Sequence, residues 1–366
     1  MLRARVPACL LVASAAACAR PPSELQVTPL AEGEWVVAGH AGTAAILQQT
    51  RDIQPRASRG APEQLPRLAA LRDSLTPLPV DTFTVSAGAN PIGVVRIGAG
   101  RMYAAATGQP RFLPSPTDTL LYAIEQMDGI WVFKAPDEMH KLTLDDDRDT
   151  LITRQREGAV ILYWSARPVW SADGKFIAFL TNREAVRART RGQSMWAIDA
   201  YTGIQGPLVR APGQSVSTEG VLGEEFVFIS DAQPGVFAVH PRTRAIRKLG
   251  DGYVLAGHAR GRALLLNENG RLRLLKRDAS VNLPAPPTGY VWSTQAAISP
   301  SGKWVAVLST DQAGVYMLHV MDGESALPPF RLPGPPSQGP SWLDDASLTF
   351  SVQERGTLRT YRARLR

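Results

Sequence analysis

The side chains able to do chemistry are few and scattered. The five histidines, His40, His140, His240, His258 and His319, stand apart, and no H-x-x-x-H pair would place two imidazoles on one helix face. A serine nucleophile on a strand-to-helix elbow needs G-x-S-x-G. The nearest strings, Gly192-Gln193-Ser194-Met195-Trp196 and Gly213-Gln214-Ser215-Val216-Ser217, both lack the closing glycine. The run Asp145-Asp146-Asp147-Arg148-Asp149 offers carboxylates but no glycine at the turn position of a calcium loop, so it reads as a solvated loop. Asp118 and Asp173 fall at equivalent places in two turns, which points to turn chemistry. Cys9 and Cys18 are the only cysteines, so the body of the chain has none for a disulfide, a zinc site or a thiol nucleophile. The expectation is a protein with no catalytic residue, no metal site and no cofactor, although ligands drawn from distant segments would escape a search by spacing.

The beginning of the chain reads as an export signal. Arg3 and Arg5 precede an apolar stretch, VPACLLVASAAA at 6–17. It is shorter than the roughly 20 residues a membrane-spanning helix needs but suits the core of a signal peptide. Ala15-Ala16-Ala17-Cys18 resembles a bacterial lipobox, with Ala15 where leucine is more common. The resemblance implies a signal peptide at 1–17 and a lipid on Cys18, which becomes the first residue of the mature protein. Ala19 in place of aspartate implies the outer membrane, facing the periplasm. The alternative is ordinary cleavage near Ala17 or Ala19, which leaves a soluble periplasmic protein. The net charge of +7 falls to +5 when Arg3 and Arg5 leave with the signal, and no basic run appears. Nucleic-acid binding needs clustered charge, so no nucleic-acid partner is expected.

Residues 18–90 read as a tether and an irregular N-terminal segment. ARPPS at 19–23 is the tether, and EWVVA (34–38) and TAAILQQ (43–49) favour strands. Leu65, Leu68, Leu71 and Leu75, spaced 3, 3 and 4 apart, predict a short amphipathic helix opening at Pro62. From residue 91 short β-rich runs alternate with Gly, Pro and Asp turns, and the pattern repeats. The clearest copies are PVWSADGKFIAFLTNR (168–183) with MWAIDAYTG (195–203), and AISPSGKWVAVL (297–308) with VYMLHVMDG (315–323). RFLPSPTDTLLY (111–122) with DGIWVF (128–133), and GPSWLDDASLTFSV (339–352) with TLRTYRARL (357–365), follow the same grammar. Residues 224–249 and 253–278 add two weaker units. Gly174 and Gly302 supply the turn conformation, and Ala178 and Ala306 recur where neighbouring sheets must approach. One such sheet cannot bury both faces, so copies must stack around an axis.

This repeat resembles the WD-like β-propeller repeat of TolB, also found in the propellers of prolyl oligopeptidases and dipeptidyl peptidase IV. The resemblance implies an all-β propeller of four-stranded antiparallel blades over 91–366. Six blades are expected, or seven if residues 34–105 supply another. The last unit ends on its third strand, so PIGVVRI (91–97) or MYAAAT (102–107) is expected to complete it. Trp131, Trp170, Trp196 and Trp342 recur at repeat positions and read as blade packing, whereas Trp164 and Trp292 fit the repeat less well and are candidates for exposure. The functional expectation is a monomeric, membrane-anchored, non-catalytic scaffold whose partners are envelope proteins. The alternative is a small-ligand or glycan binder, or an enzyme, using the central channel.

Overall fold

Antiparallel pairing of the short apolar runs builds a β-propeller. The computed structural model describes residues 22–41, 44–49, 68–71, 74–77, 85–87, 90–97, 100–105, 119–123, 138–143, 149–154, 156–157, 161–162 and 165–366, apart from 200, 201, 212, 259, 260 and 324. Among these residues are six four-stranded antiparallel sheets, the blades. Blade I is Trp35–Ala41, Ala44–Gln49, Leu68–Leu71 and Leu75–Pro77. Blade II is Ser165–Trp170, Phe176–Thr181, Ser194–Asp199 and Gln205–Val209. Blade III is Val216–Leu222, Glu225–Ser230, Val236–Val239 and Ile246–Gly250, and blade IV is Tyr253–Gly257, Ala263–Glu268, Arg271–Lys276 and Ser280–Asn282. Blade V is Tyr290–Ile298, Val305–Asp311, Tyr316–Met321 and Phe330–Arg331. Blade VI takes Pro336–Trp342, Ser347–Glu354 and Thr357–Leu365, then Leu25–Glu32 as its fourth strand. The first strands of successive blades pack side by side from II through VI to I, which sets them innermost in the ring.

The ring is closed by a different strand from the one expected. Leu25–Glu32 pairs with Thr357–Leu365 from Leu25↔Leu365 to Glu32↔Arg359. Residues 91–97 and 102–107 do not serve; Asn90–Ile97 and Gly100–Ala105 pair with each other, with Val85–Ala87 beside them. The physical reason is the length of the connection. Only Gly33 and Glu34 separate the closing strand from the innermost strand of blade I, a short step between neighbouring blades. That step is pinned: Gly33 N–H donates to Leu358 O (2.8 Å), Thr360 Oγ1 donates to Gly33 O (2.9 Å), and Trp35 N–H donates to Thr360 Oγ1 (3.1 Å).

The segment expected to be irregular therefore carries the closing strand and all of blade I. The helix expected from the leucines is corrected as well: Leu68–Leu71 and Leu75–Pro77 are strands. Ala69 and Leu71 point inward on alternate positions, beside Leu47 of the neighbouring strand, and this tertiary pairing overrides a weak local period. Five of the units found by their repeats become blades II to VI. The copy at 111–133 contributes Thr119–Ala123 to a three-stranded sheet with Glu138–Thr143 and Asp149–Arg154, while DGIWVF lies outside the described residues.

The core lies between blades. On the second strand of blade V, Ala306 and Leu308 pack against Trp342, Leu348 and Phe350 of blade VI. Val305 and Val307 pack the other way, onto Leu265 and Leu274 of blade IV. A strand buried on both faces needs apolar residues at every position, which accounts for the unbroken runs FIAFL and WVAVL. Ala178 takes the same place in blade II, among Val221, Phe226 and Phe228 of blade III. Both alanines are completely buried. Ala306→Leu should destabilise the protein by about 1–3 kcal/mol through overpacking, read as a lower urea midpoint; an unchanged midpoint would show that the interface has spare room.

Candidate functional site

The turns between first and second strands, and those between third and fourth, emerge on one face of the ring. In blade II the turn at 171–176 is built by its own side chains. Ser171 Oγ donates to Asp173 Oδ1 (2.7 Å), Lys175 N–H donates to the same oxygen (3.1 Å), and Phe176 N–H donates to Ser171 Oγ (2.9 Å). Burial alone would raise the Asp173 pKa. The Ser171 hydroxyl, the Lys175 N–H and the charges of Lys175 and Arg242 hold it below the usual carboxylate value. Blade V repeats the turn with Ser299 and Ser301: Trp304 N–H donates to Ser299 Oγ (3.1 Å) and Lys303 N–H to Ser301 Oγ (3.2 Å). In blade IV, His258 stands where the other two turns have their first serine, and its backbone makes the same closures, His258 N–H to Ala263 O and Gly261 N–H to His258 O.

These turns are tied to one another across blades. Asp173 of blade II lies 3.8 Å from Arg242 in the third-to-fourth turn of blade III. Gly223 N–H of blade III donates to Gly261 O of blade IV (2.7 Å). This approach explains the glycine at 261: its φ is +62°, and a Cβ there would stand 2.8 Å from Gly223 O. His258 Nε2 and Arg262 Nη1 of blade IV both donate to Pro300 O of blade V (2.8 and 3.2 Å). Ser301 N–H of blade V donates to Asp345 Oδ1 of blade VI (2.8 Å). Burial would raise Asp345, but the backbone and hydroxyl of Ser301, the hydroxyl of Ser299 and the charge of Arg262 lower it below the usual carboxylate value. A belt of polar contacts thus runs from blade II to blade VI.

Two grooves open along the belt. One, of about 780 Å³, lies over blades IV to VI; its walls are Ala256, Gly257, Ala296 and Ala297, and its polar groups are His258, Arg262, Ser301, Ser341 and Asp345. The other, of about 610 Å³, lies over blades II to IV between Asp173, Glu224, Lys276 and Arg277. Arg262 lines both. Spacing alone did not single out Arg262, Pro300 or Asp345, because each acts on a neighbouring blade. Aligning the turns would have flagged His258 at the serine position.

The residues singled out in the sequence do not converge. Cys18, Asp145–Asp147, Trp131 and Trp164 lie outside the described residues, and Asp149 begins a strand. His40 and His140 lie in the strands Trp35–Ala41 and Glu138–Thr143. His240 Nδ1 accepts from the N–H groups of Arg242 and Thr243 (both 3.2 Å), which makes it a turn residue. Ser194 is buried at the start of a strand, where its Oγ accepts from Ala211 N–H (3.1 Å), and Ser215 forms a bridge with Gln193. Neither sits on a strand-to-helix turn. Trp170, Trp196 and Trp342 are buried in the blades. Trp292 is buried too, against the expected exposure, because it packs edge-on against His319 (4.9 Å between ring centroids) inside blade V. No group of three or more metal-ligating side chains occurs among the described residues.

His319 is buried inside blade V, with Nε2 2.8 Å from Ser309 Oγ. Burial lowers its pKa from 6.5 to about 4. Between those values the unfolded chain binds a proton that the folded protein refuses, so stability falls as pH drops from 6.5 towards 4. His319→Gln should shrink the difference in urea midpoint between pH 7 and pH 4.5; an identical difference in both proteins would exclude His319 as its source.

No family model and no curated protein sequence matches the chain. Several solved structures resemble it. TolB from Acinetobacter baumannii is 11% identical with a TM-score of 0.38, over 78% of each chain. BamB from Moraxella catarrhalis is 11% identical with a TM-score of 0.42, over 93% of this chain and 99% of that one. An oligogalacturonate lyase in complex with manganese is 14% identical with a TM-score of 0.41, over 94% of this chain and 98% of that one. The strand pairing itself, sheet by sheet, makes this chain a propeller.

Proposed function

We propose that this chain is a non-catalytic β-propeller of the bacterial cell envelope, held to the outer membrane by a lipid on Cys18, whose loops bind envelope proteins in the periplasm. The observation that carries the reading is the belt. His258, Arg262, Ser301 and Asp345, the groups at the groove with chemistry to offer, are engaged in holding neighbouring turns in register. Turns locked to one another hold the whole ring rigid, so the loops of either face are fixed in advance and lose little conformational freedom on binding, and more of the contact energy appears as affinity. Loops on a rigid ring are also where recognition residues can vary without disturbing the fold.

A photo-crosslinking residue introduced at exposed turn positions on each face, in the living cell, should give discrete protein adducts at some positions and none at others. No adduct from any position on either face would overturn the reading. For the anchor, Cys18→Ser should move the protein from the detergent phase to the aqueous phase, and unchanged partitioning would dismiss the lipid. The groove of about 780 Å³, with Arg262, Asp345 and Trp342 in its wall, favours a second reading, a glycan or other small polar ligand at the channel mouth. An oligosaccharide that raises the unfolding temperature of the wild type but not of Arg262→Ala would favour that reading over the first.

A further inference from the structure

The closing strand decides which way the ring faces. Ser23 N–H and Glu24 N–H both donate to Arg366 O (2.5 and 3.0 Å), and Arg366 N–H donates back to Glu24 O (3.0 Å). Leu365 N–H in turn donates to Ala346 O (2.8 Å), inside the first-to-second turn of blade VI. That turn also holds Asp345, the last member of the belt. The polypeptide therefore enters the propeller on the face that carries the belt and both grooves, at the outer edge of blade VI. Four residue steps connect Cys18 to Pro22, and four residues reach at most about 14 Å.

We propose that this short connection turns the belt face, with both grooves, toward the bilayer and leaves the opposite face toward the periplasm. The inference rests on a lipid at Cys18, the anchor of the proposed function. A lipid holds residue 18 at the membrane surface, and a reach of about 14 Å is less than the roughly 20 Å that a six-residue strand adds between the two faces. The opposite face is then out of reach of the headgroups, and the belt face is the face that can rest on them. The opposite face carries the second-to-third turns and the starts of the innermost strands.

The test places a fluorophore on one face or the other of the same blade. Lys303→Cys lies in the first-to-second turn of blade V and Gln312→Cys in its second-to-third turn, and both positions are exposed. The full-length lipoprotein, labelled at either thiol, is reconstituted into phosphatidylethanolamine–phosphatidylglycerol vesicles containing a headgroup-spin-labelled phospholipid. Quenching at position 303 should exceed that at 312 at least twofold, and inserting a twenty-residue Gly-Ser spacer between Ala19 and Arg20 should abolish the difference. Equal quenching, stronger quenching at 312, or a difference that survives the spacer overturns the proposal while leaving the anchor intact. If instead Cys18→Ser binds the vesicles as well as the wild type, the anchor falls and the orientation falls with it; co-flotation with the vesicles tells the two failures apart.

Discussion

Replacing Leu25–Glu32 with eight residues of glycine and serine should cost at least about 5 kcal/mol and lower the urea midpoint markedly. The figure combines roughly 1 kcal/mol for each half-buried apolar side chain withdrawn from the core with roughly 0.5–1.5 kcal/mol for each ladder hydrogen bond lost. Leu25 and Val27 pack on the cluster between blades V and VI, and Leu30 packs beside blade I. The strand pairs with Thr357–Leu365 over seven residue pairs, so its loss leaves blade VI with an unpaired edge. A domain is commonly stable by only about 5–15 kcal/mol, so this change approaches the whole margin. Tryptophan fluorescence in urea reads the midpoint. A synthetic peptide of residues 23–33 added in trans should raise it again by adding back the missing strand. A midpoint that does not move, with or without the peptide, would show that the ring is closed by something else.

Phe350→Ala should cost about 3–5 kcal/mol, the usual range for deleting a fully buried aromatic ring. Phe350 lies on the second strand of blade VI, completely enclosed, stacked on Tyr361 (centroids 5.6 Å apart, planes at 10°) and tilted against Phe330 of blade V at 6.3 Å. It joins the two blades, and Tyr361 is in turn paired with Pro29 of the closing strand. Phe350→Leu should recover most of the loss because it refills most of the volume. Combined with the replaced closing strand, Phe350→Ala should cost less than the sum of the two changes, since both remove support from one cluster. Strict additivity in the double variant would mean that the clasp and the ring act independently.

The blades were legible to the extent that their local chemistry repeats. The turns at Ser171-Ala172-Asp173-Gly174 and Ser299-Pro300-Ser301-Gly302 announce themselves because short side chains close them within six residues, a hydroxyl and a carboxylate in the first and two hydroxyls in the second, and Gly174 and Gly302 have positive φ of 68° and 75°. The runs after them are apolar at every position because both faces are buried. Blade I lacks such a turn signal, and its third strand is only Leu68–Leu71. A four-residue strand whose leucines are three apart carries no period strong enough to tell it from a helix. The burial of Trp292 was equally hidden, because it depends on His319, a residue on another strand far along the chain.

Residues within a few positions of one another specify the all-β class, the four-stranded repeat and the turns that punctuate it, so the amino-acid sequence made all three legible. Tertiary structure alone decided which strand closes the ring, which turns join into a belt, and on which face the chain enters. Those depend on contacts such as Leu25 with Leu365 and Ser301 with Asp345. A hydrogen bond across blades is set by the curvature of the whole ring, and no spacing of residues along the chain encodes that curvature locally.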